Sequence, residues 1–317
     1  GGTDYPAWYE KNGGAVLTAS INKYCHIGLR FMPPFFKYKY KIVYSKHEEV
    51  SHIDEIDHPS VRETLRYLNM DNGIVINHDG DLPAMSGLGS SSSFTVGLVH
   101  ALSALKGEMK TKRQLALDAI HIEQNMIKEN VGSQDQTIAA FGGLNRIDFG
   151  GPQKILVNPI IISRERMDLF QSHLMLVFTE ITRHASKIAK GWIKNTPANR
   201  NELESLTKMV DEGTAILCGN GDIKDFGKLL HQHWLIKRGL ASKITNPKID
   251  EIYNTGLKAG AIGGKLLGAG GGGFMLLFAR PEDQPKIKEK LKKFLHVPIC
   301  IETSGSQIVY YAPQHNF

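Results

Sequence analysis

A glycine- and serine-rich loop leads into a strongly periodic helical segment. Residues 84–93 contain two glycines and end in a run of four serines, and apolar residues then repeat at helical spacing from Phe94 to Leu105. Glycines let backbone N–H groups converge on a ligand, and a helix N-terminus adds unpaired donors and a positive dipole end. The segment therefore predicts a polyphosphate site, although a Ser/Gly cap on a buried helix has the same composition.

Two carboxylates follow this loop at a spacing that suits catalysis. Glu123 lies beside the apolar stripe of a helix that begins at Thr111, and we expect Asp135 in a short loop between Gly132 and Gly142. A carboxylate at the edge of a core face is costly unless a cation meets it. One carboxylate suits a Mg²⁺ site and the other suits a proton acceptor, whereas a surface position for Asp135 is the alternative.

The densest glycine cluster, residues 268–273, formally satisfies the GxGxxG pattern of dinucleotide-binding folds. That pattern requires a preceding strand and a following helix near the start of its domain. Here a strand-like run, Phe274 to Phe278, follows the glycines directly. We therefore predict no Rossmann fold, and no Walker A loop is present either.

Composition excludes several classes of function. The 317 residues carry a net charge of +6 without a dense Lys/Arg block, which weakens a nucleic-acid interpretation and suits an anionic small molecule. Apolar runs such as Leu174 to Phe178 are far shorter than the roughly 18 residues of a membrane span. Three widely spaced cysteines predict reduced core thiols, and with no signal peptide visible after Gly1 they indicate a cytoplasmic protein.

Strand-like and helical segments alternate along the whole chain. Several strands and helices precede Met167, amphipathic helices then run from Arg183 to Ala259, and a last strand is expected at Ile308 to Tyr311. We predict an α+β protein of two domains, residues 1–168 and residues 169–317.

Three motifs together resemble those of the GHMP kinases, the superfamily of galactokinase, homoserine kinase and mevalonate kinase. Pro83 to Ser92 is similar to the second family motif, and Lys265 to Phe274 to the third. The loop Gly132 to Gln136, followed by two glycines, resembles the catalytic-aspartate loop. The opening Gly1 to Pro6 resembles the sugar-binding motif of the heptose-phosphate kinase branch, and fucose kinases carry a related segment.

This resemblance implies a two-domain GHMP fold, with an N-terminal domain like that of a ribosomal protein and a ferredoxin-like C-terminal domain. It implies ATP and Mg²⁺ as cofactors and a sugar phosphate as partner, and it makes Asp135 the general base and a substrate contact. Ser91 and Glu123 would be the Mg²⁺ ligands. Residues implied in ATP binding are Pro83, Ser86, Gly87, Leu88, Gly89, Ser90, Ser91 and Ser92, and those implied in substrate binding include Thr3, Asp4, Gly271 and Gly272.

The expected reaction is phosphorylation of the anomeric hydroxyl of D-glycero-D-manno-heptose 7-phosphate, in surface-polysaccharide synthesis. An unphosphorylated sugar of the fucose type, or a non-catalytic sugar and nucleotide sensor, is the alternative. A phosphorylated acceptor needs a second anion site, and we predict Arg183, which shares a helix face with Lys187, unless that face is merely solvated. The GHMP kinases usually carry an Arg or Lys just before the first motif, and we expect that residue upstream of Gly1. We predict no nucleic-acid or membrane partner. The sequence predicts no particular oligomeric state, and a homodimer is one of the alternatives.

Overall fold

The structure, a computed structural model, describes residues 2–150, 155–182, 189, 191 and 198–313. Helices within these ranges are α1 (Pro6–Asn12), α2 (Pro59–Tyr67), α3 (Ser90–Leu105), α4 (Lys112–His121), α5 (Gln134–Phe141), α6 (Arg164–Ser172), α7 (Arg200–Cys218), α8 (Lys224–Gly239), α9 (Pro247–Ala259) and α10 (Gln284–Lys290). Strands are β1 (Gly14–Ala19), β2 (Cys25–Phe31), β3 (Tyr40–Val43), β4 (His47–Val50), β5 (Ile74–Gly80), β6 (Leu144–Phe149), β7 (Ile155–Pro159), β8 (Leu174–Phe178), β9 (Gly263–Leu266), β10 (Phe274–Phe278) and β11 (His296–Val297). Helices and strands interleave throughout, so the predicted α+β class is confirmed.

The N-terminal half contains two sheets. One has the order β2-β5-β3-β4, in which only β3 and β5 run parallel, and the other has the antiparallel order β1-β6-β7. Helices α2 and α3 cover the first sheet, and Leu65 and Leu98 pack with Tyr40 and Ile76 in its core. This packing fixes the direction of α3 and therefore the place to which its N-terminus points.

Helix α4 changes its hydrogen-bonding pattern before it reaches Met126. Thr111 and Gln114 form the capping box that the sequence predicts, with Thr111 Oγ1 accepting from Gln114 N at 3.2 Å. A π-helical turn, Ile122–Met126, follows α4 directly. Such a turn holds one residue more than an α-helical turn, and it often occurs at functional sites. Glu123 lies in this turn.

The C-terminal half is built on the antiparallel sheet β11-β8-β10-β9. Trp234 of α8 and Tyr253 of α9 are buried with Met275 of β10 in its core. The glycine cluster joins β9 to β10 as a hairpin loop. Because a second strand, and no helix, follows the glycines, the prediction against a Rossmann fold is confirmed.

Asp135 is the second residue of helix α5, so the prediction that it lies in a short loop is wrong. Thr137 Oγ1 donates to the Ser133 carbonyl at 2.6 Å in the first turn, and Gly142, with φ of 71°, ends the helix. The buried face of α5 is largely polar, with Gln136 and Thr137 in it. Apolar periodicity therefore could not reveal this helix.

Three further predictions concern the last strand, the cysteines and the domain division. Residues 308–311 are largely exposed and form no strand in the described part of the chain. Cys218 and Cys300 are exposed and Cys25 is half-buried, so the prediction of core thiols is wrong although all three are free. The predicted domain division at residue 168 falls inside α6 and stays a prediction. In the ranges the structure describes, no helix has the length and apolar character to cross a bilayer.

Candidate active site

A cavity of about 490 Å³ lies between the N-terminal and C-terminal halves. Its walls bring together the serine-rich loop, both predicted carboxylates and residues of the glycine hairpin. The predicted site residues that line it are Asp4, Ser86, Gly87, Leu88, Gly89, Ser90, Ser91, Ser92, Glu123 and Asp135. A second cavity, of about 240 Å³, is lined by Arg113, Leu117 and other mostly apolar residues and contains none of the motif residues.

The loop before α3 curves around a point inside the cavity. Met85, Gly87 and Gly89 have φ values of 59°, 81° and 73°, so left-handed residues alternate with ordinary ones. Alternation of this kind turns successive backbone N–H groups toward one point and forms an anion-binding concavity. Ser86 is fully buried, lines the cavity, and has no partner for its hydroxyl oxygen among the described residues. The loop therefore presents amides, a hydroxyl and a helix N-terminus to an anionic ligand.

Glu123 is fixed by side chains of the neighbouring helices α3 and α5, and Thr95, Gln136 and Ser92 stabilise its carboxylate. Ser92 Oγ donates to Glu123 Oε2 at 2.9 Å, and Gln136 Nε2 donates to the same oxygen at 2.5 Å. Only 1% of Glu123 is exposed, and burial raises its pKa to about 7 against the hydrogen bonds that stabilise the carboxylate. The other oxygen, Oε1, has no hydrogen-bond partner in the described part of the chain.

A buried, unpartnered carboxylate oxygen on a cavity wall fits a cation ligand. Ser91, which the resemblance pairs with Glu123, is exposed and lines the same cavity, while the serine bonded to Glu123 is Ser92. A site of one carboxylate and one hydroxyl suits Mg²⁺, which keeps several waters and binds substrate phosphates. Within the described ranges, no cluster of three His, Cys, Asp or Glu side chains could hold a metal.

Asp135 lies against the turn at Gly89. A Cβ placed on Gly89 would come within 3.2 Å of the Asp135 Cβ and Cγ atoms, so the carboxylate lies beside the phosphate loop. Burial, and after it the negative charge of Asp4, raise the pKa of Asp135 to about 6, while the positive charge of Lys237 acts in the opposite direction. The group is therefore mostly ionised at pH 7 and placed to accept a proton next to the loop.

Asp4 reaches the cavity because the loop before α5 packs tightly on it. Its carbonyl accepts from Ser133 N at 2.8 Å, and its Oδ1 accepts from Gly2 N at 3.0 Å. A Cβ on Gly132 would lie 1.8 Å from Asp4 Oδ2, so a side chain at that position would displace the Asp4 carboxylate. Asp4 and Asp135 are thus held on adjoining parts of one wall.

Four predicted residues lie elsewhere. The Thr3 hydroxyl is buried and donates to Ala15 O at 2.7 Å while accepting from Ala15 N at 3.1 Å, so it anchors β1 and does not face a sugar. Pro83 is exposed and does not line the cavity, and neither do Gly271 and Gly272, because Gly271 N donates to Ile244 O and Gly272 packs on Ile181. Arg183 lies outside the described residues.

Three cavity-lining lysines, Lys23, Lys237 and Lys265, were not predicted as site residues, and two of them come from the C-terminal half. Lys237 of α8 is 8% exposed, and its Nζ donates to Gly268 O at 2.5 Å. Lys265 of β9 is half-buried, and burial lowers its pKa to about 8 while the charge of Asp4 acts against that shift. Lys237 follows Phe226, Leu230 and Trp234 at helical spacing, so a charge on an apolar face was the signal in the sequence.

Comparison with known proteins identifies the architecture. The family descriptions "GHMP kinases N terminal domain" and "GHMP kinases C terminal" match residues 59–143 and 214–297, together more than half of the chain. A D-glycero-alpha-D-manno-heptose 7-phosphate kinase of Campylobacter jejuni is 27% identical over 308 residues, covering 92% of this chain and 89% of the relative. A mevalonate kinase of Methanocaldococcus jannaschii is 28% identical over 237 residues, covering 74% of this chain and 71% of the relative.

Among solved structures, a D-glycero-D-manno-heptose 1-phosphate kinase from Bacteroides thetaiotaomicron superposes with a TM-score of 0.80 at 22% identity, covering 98% of this chain and 95% of that one. The chain therefore belongs to the GHMP kinases, with the two-domain α+β fold of that family. More particularly, it is an ATP-dependent carbohydrate kinase.

Proposed function

We propose that this kinase transfers the γ-phosphate of ATP to the anomeric hydroxyl of D-glycero-D-manno-heptose 7-phosphate and forms the 1,7-bisphosphate. The observation that carries this proposal is the position of Asp135, whose carboxylate lies against Gly89 of the phosphate loop and inside the same cavity as Asp4. A hydroxyl held beside Asp135 lies next to the place where the loop binds phosphates. The name of the Campylobacter relative supplies the sugar.

Asp135 is the proposed general base. Its pKa of about 6 leaves it ionised at neutral pH, yet close enough to neutrality to accept a proton as the hydroxyl oxygen attacks phosphorus. The oxygen forms a bond to the γ-phosphorus while the bond to the ADP oxygen breaks, and the hydroxyl proton passes to Asp135. Amides of the loop from Gly87 to Ser92 stabilise the charge on the phosphates.

Glu123, with Ser91 across the cavity wall, is the proposed Mg²⁺ site, and the unpartnered Glu123 Oε1 is the atom that supports it. A bound Mg²⁺ ion would offset negative charge on the ATP phosphates. Ser92 and Gln136 hold the carboxylate in place by binding its other oxygen. Glu123 thereby keeps one oxygen directed away from the protein donors.

At the acceptor end, Asp4 is the proposed partner of sugar hydroxyls. Asp4 is only 7% exposed yet lines the cavity. A hydrogen bond from a sugar hydroxyl to its carboxylate would replace one from water. Arg183 remains a predicted phosphate ligand outside the described residues. The proposed location is the cytoplasm, because ATP is the phosphoryl donor, and the proposed role is in surface-polysaccharide synthesis.

The test is Mg²⁺-dependent ADP release with heptose 7-phosphate, free heptose and fucose supplied in parallel, and with the product identified by its mass. We expect turnover with heptose 7-phosphate and a bisphosphate product. Turnover with free heptose or fucose alone would replace the proposed substrate by an unphosphorylated sugar. ATP binding without ADP release from any sugar would point to a sugar and nucleotide sensor.

A further inference from the structure

Two lysines of the C-terminal half line the cavity that also contains the carboxylates. Lys237 comes from α8 and Lys265 from β9, and both line the cavity with Asp4 and Asp135. We call Lys237 and Lys265 the lysine pair. We propose that the lysine pair binds the phosphate group that the acceptor sugar already carries before it is phosphorylated. This inference rests on the proposed function and names the part of the site that selects a phosphorylated acceptor.

The first argument is direction. Lys265 is opposite Leu276 in the β9–β10 hairpin, and directly opposed residues of an antiparallel pair point to the same face of the sheet. Leu276 also lines the cavity, so the face that carries Lys265 is the cavity face. Lys237 is directed by its bond to Gly268 O, which belongs to the loop of the same hairpin. Both ammonium groups are thus held by one structural unit.

The second argument is the cost of burying the charges. An ammonium group away from water is unfavourable unless an anion or hydrogen-bond acceptor meets it. Lys265 forms no ion pair with a carboxylate of the described residues, and its Nζ lies 3.5 Å from His233 Nε2. Burial lowers the pKa of Lys265 to about 8, in line with a cation that lacks a close counter-ion. A phosphate would supply both the counter-charge and acceptors.

The third argument distinguishes the acceptor from ATP. The ATP phosphates are assigned to the loop before α3, which belongs to the N-terminal half, whereas the lysine pair belongs to the C-terminal half. The carboxylate whose charge acts on Lys265 is Asp4, the proposed sugar ligand, and the charge of Lys237 acts on Asp135, the proposed base. The lysine pair therefore lies within electrostatic range of the two carboxylates that are assigned to the acceptor. A sugar whose anomeric hydroxyl lies at Asp135 would direct its far end toward the lysine pair.

The test is calorimetric and does not depend on turnover. The protein is saturated with a non-hydrolysable ATP analogue and Mg²⁺, then titrated with heptose 7-phosphate and, separately, with free heptose. We expect Lys265→Met and Lys237→Gln each to weaken binding of the phosphorylated sugar by about 10- to 100-fold, as loss of a charge-assisted hydrogen bond predicts. Binding of free heptose and of the ATP analogue should stay unchanged, and Lys265→Arg should restore most of the affinity. Lys258→Met, an exposed lysine of α9, is the matched control.

Several outcomes would overturn the inference. Weaker binding of the ATP analogue would assign the lysines to the nucleotide, and equal weakening for both sugars would reduce them to structural residues. No change at all would leave the sugar phosphate to another group, such as Arg183. If neither sugar binds, inorganic phosphate is titrated into the nucleotide-loaded protein, and only lysine-dependent binding supports the site.

The same measurements separate this inference from the proposed function. Lysine-dependent binding of heptose 7-phosphate without ADP release would refute the reaction and keep the phosphate site. Equal turnover of heptose and heptose 7-phosphate, in the wild type and both lysine variants, would keep the kinase and refute the site.

Discussion

The two walls of the cavity obtain their charges in different ways. The acidic wall, formed by Asp4, Glu123 and Asp135, lies in the N-terminal half, and the lysine pair lies in the C-terminal half. Hydrogen bonds hold two of these carboxylates: Ser92 and Gln136 donate to Glu123, and Gly2 N donates to Asp4. The lysines instead reach the cavity from the apolar face of a helix and from a strand. The acidic wall is therefore a rigid arrangement of donors and acceptors, whereas the lysine wall depends on charge and long side chains.

The largest expected effect comes from removing the base of the acidic wall. Asp135→Asn keeps the shape of the side chain but cannot take a proton, so we expect kcat to fall by roughly 10²- to 10⁴-fold. Affinity for an ATP analogue should remain within about twofold. Steady-state ADP release and calorimetry measure the two quantities. Glu129→Gln, which changes another cavity-lining carboxylate, is the control, and an Asp135→Asn enzyme with full activity would remove Asp135 from the base role.

A second prediction concerns the joint between the two walls. A Cβ on Gly273 would lie 1.9 Å from the Ser86 carbonyl oxygen, and the φ of Gly273 is 96°. We expect Gly273→Ala to lower the free energy of unfolding by about 3 kcal/mol and to weaken nucleotide binding at least tenfold. Gly107→Ala is the control, because Gly107 has φ of 76° with nothing within 4 Å of its Cβ. Equal losses in both variants would show that backbone strain alone, and not the approach of the walls, is responsible.

A third prediction uses the burial of Glu123. Its folded-state pKa of about 7 lies above that of an exposed carboxyl, so the folded state binds the proton more tightly and loses stability as pH rises from about 4.5 through 7. Glu123→Gln should therefore raise the free energy of unfolding at pH 8 by about 1 to 3 kcal/mol and leave it nearly unchanged at pH 4. Denaturant unfolding without nucleotide or metal measures both values.

Glu63→Gln gives the opposite sign for the same chemical change. Glu63 is 7% exposed but accepts from Arg62 Nε at 3.0 Å and from Arg66 Nη1 at 2.7 Å. Loss of its negative charge leaves Arg62 without its carboxylate partner and Arg66 with Asp54 alone, so stability at pH 8 should fall. A fall for Glu123→Gln as well would contradict the prediction and show that the hydrogen bonds to the Glu123 carboxylate outweigh the cost of burying its charge.

The smallest effect distinguishes the two lysines from each other. The charge of Lys237 lowers the pKa of Asp135, whereas the carboxylate that acts on Lys265 is Asp4. Lys237→Gln should therefore raise the pKa of Asp135 by up to about one unit, and Lys265→Met should leave it in place. Carboxyl ¹³C NMR titration of the ligand-free protein measures this pKa directly. Equal shifts in both variants would mean that the lysine wall acts on Asp135 as one diffuse charge.

Sequence reasoning reached the acidic wall better than the lysine wall, for physical reasons. Glu123 could be found because a carboxylate at the edge of an apolar helical stripe is unusual, and the loop before α3 could be found because glycines and a helix start coincide. The bonding of the Thr3 hydroxyl to the backbone of Ala15 could not be predicted, since nothing in the sequence distinguishes such a threonine from one that binds a ligand. Lys237 carried the same signal as Glu123, but its meaning depends on Gly268, which is distant in the chain and adjacent only after folding.

Because of the π-helical turn at Ile122–Met126, the position of the Glu123 carboxylate depends on the number of residues in this segment. Each residue of a helix rotates the next by about 100° around the axis. Deleting one residue from this turn would restore the ordinary α-helical pitch. The Glu123 side chain would then rotate away from its hydrogen-bond donors Ser92 and Gln136. An insertion elsewhere in α4 would shift the whole following segment in the same manner. The candidate active site is thus sensitive to a one-residue gap in this turn, and substitution alone would not expose that dependence.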